Sequence, residues 1–96
     1  MLKHVVFFKF KPETTEAEIE KLATGLGALP EIIPEIREFV FGRDIVRSER
    51  SYDFGLVTSF DDRAALDRYA IHPDHQLVVT QVKAICSSVV AIDFDY

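Results

Sequence analysis

The sequence holds one cysteine, no tryptophan, and only four glycines and four prolines in 96 residues. The single thiol, Cys86, cannot close an intrachain disulfide, so folding does not rely on an oxidising compartment. With 48% hydrophobic and 28% charged residues, the scarcity of glycine and proline excludes a disordered or collagen-like chain. Basic residues are also in short supply: eleven Lys and Arg stand against sixteen Asp and Glu, a formal net charge of −5. A surface of that sign repels phosphate backbones and anionic headgroups, which predicts neither a nucleic-acid nor a membrane partner. Long apolar runs are missing too. Near the N-terminus, Val5 to Phe8 is broken by Lys9, too short for a signal segment or a membrane span. The expectation is a soluble cytoplasmic protein whose length suits one domain over residues 1–96, without a separate catalytic module.

What is present reads as alternating strands and helices. His4 to Lys11 is rich in Val and Phe and apolar on both faces, as a buried central strand would be. After Pro12, Thr15 and Glu18 have the spacing of a capping box, and Ile19, Leu22, Ala23 and Leu26 recur at helical spacing, which predicts a helix ending near Gly27. Ile36 to Asp44 and Tyr52 to Phe60 read as a hairpin with a long polar loop. Asp61 is placed to cap a second helix carrying Leu66, Tyr69 and Ala70 on one side. His72-Pro73 interrupts it, His72 taking an N-cap position before a third helix from Pro73 to about Ile85. Ser88 to Tyr96 alternates as a closing strand.

This order of elements predicts an α+β, ferredoxin-like βαββαβ domain, a four-stranded antiparallel sheet with its helices on one face. All eight phenylalanines fall in the expected strands, and Phe7 and Phe8 must point to opposite faces. The second face therefore needs a cover that this chain has no spare segment to supply. The simplest cover is a second copy, sheet against sheet, with Phe7 and Phe39 assigned to the buried interface.

The chain resembles the stress-responsive A/B barrel, or dimeric α/β barrel, family. The resemblance rests on His4-Val5-Val6-Phe7-Phe8-Lys9-Phe10-Lys11, Gly42-Arg43-Asp44, Tyr52-Asp53-Phe54 and Tyr69-Ala70-Ile71-His72-Pro73-Asp74-His75, and it spans essentially the whole chain. It implies a homodimer joined through the sheet face. A plant polyketide cyclase in the family works by aldol condensation through a Tyr and a His that match Tyr69 and His75, with a first-strand His matching His4; where that cyclase has a further His, this chain has Phe54.

Read on their own, these residues allow two roles. His75 heads the stripe Val78, Val79, Val82 and Ile85 and so turns inward, at a helix start whose dipole favours a neutral imidazole; it is either a general base or a hydrogen-bonded core histidine. Tyr69 is either a structural ring or a hydroxyl that polarises a substrate carbonyl. His4, on the apolar face with Val6 and Phe8, is the third catalytic candidate, again beside a structural alternative. Phe8, Phe54, Leu56 and Val79 are the candidate lining for a small hydrophobic ligand held between helices and sheet. The spacing His72-x-x-His75 invites a metal reading that no Cys pair or HExxH pattern supports, and Cys86 lacks a basic activator, so no cofactor or metal is expected. The two function classes left open are a dimeric ligand-binding protein of undetermined activity and a cyclase-like enzyme using a His base and a Tyr hydroxyl. A haem-related or cofactor-free oxygenase is a third reading, by fold analogy alone.

Overall fold

Phe7 and Phe8 are neighbours on the central strand and point to opposite sides of the sheet: Phe8 is 4% exposed, Phe7 46%. In the computed structural model, which describes residues Met1–Tyr96, the elements are β1 (Leu2–Phe10), α1 (Glu16–Ile32), β2 (Glu38–Arg43), β3 (Phe54–Phe60), α2 (Arg63–Ile71), α3 (Pro73–Ile85) and β4 (Cys86–Asp95). The strands form one antiparallel sheet in the order β2-β3-β1-β4, the ferredoxin-like arrangement. Every phenylalanine lies in a strand.

The period-two alternation sorts the side chains. Leu2, Val6 and Phe8 of β1 and Phe54, Leu56 and Phe60 of β3 form one core with Leu22, Leu26 and Leu29 of α1, Ala65 and Tyr69 of α2, and Val78 and Ile85 of α3. On the other face Val40, Val57, Val5 and Ile92 lie in one cross-strand row, and Gly55, Phe7 and Val90 in the next. Val40, Phe7, Val90, Ile92, Phe94 and Tyr96 are all exposed there. One end of this apolar band is closed by polar contacts: Lys3 pairs with Glu38 at 2.6 Å, and the Tyr96 hydroxyl bonds the Ser59 hydroxyl at 3.2 Å.

Local sequence explains most boundaries, and tertiary packing overrides it at several. The capping box forms as expected, with the Glu18 amide on the Thr15 hydroxyl at 3.2 Å and the Thr15 amide on the Glu18 carboxylate at 2.9 Å. The helix does not stop near Gly27, however. It continues through Pro30 to Ile32, because Leu29 and the C-cap Ile33 extend the buried stripe and are almost fully enclosed; that burial outweighs the one amide bond a proline removes. Gly25 serves a different purpose: a Cβ there would lie 3.3 Å from Gln81 Oε1 and 3.4 Å from Val78, so it lets α1 approach α3 closely. Asp62, not Asp61, caps α2 by accepting from the Ala65 amide at 2.9 Å, while Asp61 is held in a bidentate pair with Arg37. The hairpin strands are shorter than the apolar runs suggest. Asp53 leaves the expected strand to accept from the Phe10 amide and from Arg47, which orders the loop. β4 begins at Cys86, directly on the end of α3. The assignment of Phe39 to the uncovered face is also overturned: Phe39 and Phe41 turn toward the helices, and Val40 is the large apolar residue that β2 exposes. The pairing of Val40 with Val57 fixes that register.

Candidate active site

A cavity of about 290 Å³ lies between α3 and the inner face of β1 and β4, at the small end of the roughly 300–1,000 Å³ found for ligand clefts. Its walls are mainly apolar, with Val6, Phe8, Leu56, Val79 and Val82 among them, and its few polar groups are His4, Tyr69, His75 and Lys83. It exists because β4 is an edge strand that the helices cover incompletely, so Val89 and Ala91, though on the inner face, remain exposed.

His75 and Tyr69 meet in this cavity through the break between α2 and α3. His72 is extended, with φ −62° and ψ 133°, and its Nδ1 accepts from the Asp74 amide at 3.1 Å, so it caps α3 as the sequence suggests. That commitment separates it from His75, and no three His, Cys, Asp or Glu side chains cluster as a metal ligand set. The turn brings the Tyr69 and His75 rings to 4.2 Å.

The hydrogen bonds define what each ring offers. His75 Nδ1 lies 3.0 Å from the Ala70 carbonyl oxygen. A carbonyl only accepts, so Nδ1 carries the proton, and in the neutral ring Nε2 keeps a free lone pair. Burial is the main cause that lowers the pKa of His75, reinforced by the His4 and His72 charges and opposed by the Ala70 carbonyl. Tyr69 is 2% exposed and packs on Phe60 at 4.9 Å. Burial alone raises its pKa, so the phenol stays protonated and is a hydrogen-bond donor at any physiological pH. His4 sits 6.4 Å from Tyr69, ring to ring, and its Nδ1 bonds the Asp93 carboxylate. This pairing fixes the imidazole's orientation and leaves Nε2 as its second polar atom.

The cavity therefore brings together all three catalytic candidates, and Phe8, Leu56 and Val79 line it. Phe54 does not. It lies beside the cavity, stacked on Phe8 at 5.6 Å and on Phe41 at 5.9 Å, and so buttresses the wall. Sequence reasoning missed Asp93 and Lys83. Asp93 carried a signal, a charge in step with Val89 and Ala91 on the inward side of the closing strand; Lys83 carried none, being, like Lys21, a lysine on a helix surface. Cys86 is buried at the end of α3, and burial raises its thiol pKa, which leaves it a poor nucleophile. No helix is long and apolar enough to cross a membrane.

Comparison with known proteins agrees with this architecture. The chain is 32% identical over 76 residues to the olivetolic acid cyclase of Cannabis sativa, covering 77% of this chain and 75% of that protein. It is 31% identical over 98 residues to an uncharacterized protein of Streptomyces coelicolor, with both chains covered fully. A dimeric ferredoxin-like protein of unknown function from Thermobifida fusca superposes with a TM-score of 0.91 at 28% identity, covering 99% of this chain and 90% of that one. The family model of the Stress responsive A/B Barrel Domain matches residues 2–96, and the chain belongs to that family.

Proposed function

We propose that the protein is a homodimeric enzyme that binds a small, largely apolar carbonyl compound between α3 and the sheet and removes a proton from the carbon next to the carbonyl. The observation that carries this reading is the 4.2 Å approach of Tyr69 and His75 within an otherwise apolar cavity. The Tyr69 hydroxyl donates to the carbonyl oxygen, and His75 Nε2 takes the proton. The C–H bond breaks, its electron pair moves to the carbonyl oxygen, and the resulting enolate is held by the Tyr69 O–H while the imidazolium keeps its Nδ1–H on Ala70. The enolate carbon then attacks a second carbonyl of the same molecule, whose C=O π bond breaks and whose oxygen takes the proton from Nε2, or it recovers that proton itself; either way the imidazole returns to its neutral form. The similarity to a cyclase supports the first outcome without fixing the substrate.

The dimer belongs to the same proposal. Exposed Phe7, Val40, Val90, Ile92 and Phe94 form one band on the helix-free face, and fully burying a large apolar side chain is worth about 1.5–3 kcal/mol. A second sheet of the same shape covers this band, as the description of the similar Thermobifida fusca protein as dimeric supports.

Proton removal is tested directly by following hydrogen–deuterium exchange at the α-carbon of apolar methyl ketones and β-diketones by NMR. The wild type accelerates exchange and His75→Ala does not. Binding without any acceleration would leave a ligand-binding protein and refute the enzyme.

A further inference from the structure

We propose that Lys83 sets the substrate class, selecting an amphipathic carboxylate: an apolar chain with a carbonyl at the Tyr69–His75 end and an anionic group at the outer end. This rests on the cavity reading above and goes beyond it in naming the ligand's second polar group and its orientation.

The cavity has two chemically different ends. Along β1 it runs from His4 past Val6 to Phe8, and along α3 from His75 past Val78, Val79 and Val82 to Lys83. Both elements give the same length. Four strand residues advance roughly 13 Å and eight helical residues about 12 Å. The two elements also run side by side, since the Lys11 amide bonds the Ile85 carbonyl at 2.8 Å and so joins their C-terminal ends. At one end sit Tyr69, His75 and His4; at the other are Lys83 and exposed Val89, and the incomplete cover of β4 opens the cavity to solvent there and alongside Ala91. Between them every lining side chain is apolar.

Lys83 is the only lining residue with a permanent positive charge, and, like Lys9, Lys11, Lys21 and Arg50 but unlike the other six basic residues, it forms no ion pair with a carboxylate. A free ammonium at the mouth of an apolar cleft attracts an anion. The inner end has the opposite preference, because the Asp93 carboxylate stands behind His4 and repels a negative group. The two charges orient the ligand: acid outward, carbonyl inward, chain along the valines.

The test compares octanoate with octanol, two ligands of similar length that differ in charge, by NMR titration of the full chain while following the Val79, Val82 and Val89 amides. Octanoate should bind roughly three- to tenfold more tightly than octanol. In Lys83→Met this ratio should fall to about one, in Lys83→Arg it should persist, and in Lys83→Glu it should invert; Lys83 is exposed, so these variants keep the fold. Equal affinities in the wild type, or a preference unchanged in Lys83→Met, overturn the role of Lys83 and leave the carbonyl chemistry standing. If neither ligand shifts those amides, the cavity reading itself falls, and this inference with it.

Discussion

Tyr69 and His75 are six positions apart, yet their rings stand 4.2 Å from each other across the extended residue His72. On a continuous helix six positions differ in direction by about 120°, given roughly 100° per residue, so the break before Pro73 is what places a protonated phenol beside a neutral imidazole.

Removing the Tyr69 hydroxyl should separate chemistry from stability. The ring is core, but its hydroxyl donates to no protein group, so Tyr69→Phe leaves no orphaned partner. We expect a melting temperature close to wild type and a loss of exchange activity of roughly a hundredfold or more. A folded variant with full activity removes Tyr69 from the mechanism.

His75→Ala should cost modest stability, about 1 kcal/mol, because the Ala70 carbonyl it releases still accepts from Gln76 Nε2 at 2.5 Å. A loss of several kcal/mol in thermal denaturation, with exchange activity retained, indicates a structural histidine.

The lowered pKa of His75 gives a definite pH dependence. Below the ordinary imidazole value near 6.5 the unfolded chain takes up a proton that the folded site resists, so folding becomes less favourable as pH falls toward the lower folded pKa. Above about 6.5 this contribution is fully present. The acid limb of kcat/KM should accordingly lie below 6.5, and the part of the stability lost on acidification that His75 causes should be missing in His75→Ala. An acid limb above 6.5 contradicts the burial argument.

The two faces of the sheet should respond differently to a buried charge. Phe7→Asp places a carboxylate on the proposed interface and should produce monomers in sedimentation equilibrium, with melting that no longer depends on protein concentration. Phe39→Asp instead strikes the helix-covered face, beside Phe41, and should unfold the chain at any concentration. An intact dimer in Phe7→Asp refutes the sheet-face interface.

Thr58 offers a stabilising change. It is fully buried on the inner face of β3, and its hydroxyl oxygen has no hydrogen-bond partner. Thr58→Val keeps the shape and removes the desolvated hydroxyl, for a gain of about 1 kcal/mol and a rise in Tm of roughly 4–8 °C. A lower Tm shows that the hydroxyl has a partner, such as a bound water.

The sequence by itself determined the order of elements and the inward direction of the key side chains. The Thr15–Glu18 capping box, the His72-Pro73 break and the alternation of Phe7 with Phe8 are local signals, set by backbone sterics and side-chain period within a few residues. They were sufficient to turn Tyr69 and His75 inward, to set His4 on the same face as Val6 and Phe8, and to predict a sheet with a second apolar side. Where local and long-range preferences conflict, only the tertiary structure decided. Pro30 stays inside α1 because Leu29 and Ile33 bury against distant partners, and Phe39 turns inward because the register with β3 assigns its face. The same holds for the site. The pairing of His4 with Asp93 joins residues 89 positions apart, and Lys83 reaches the cavity mouth only because β4 forms an edge that α3 leaves partly open. Side-chain spacing fixes direction along one element, whereas a cavity is defined by what other elements fail to fill, and that is a property of packing.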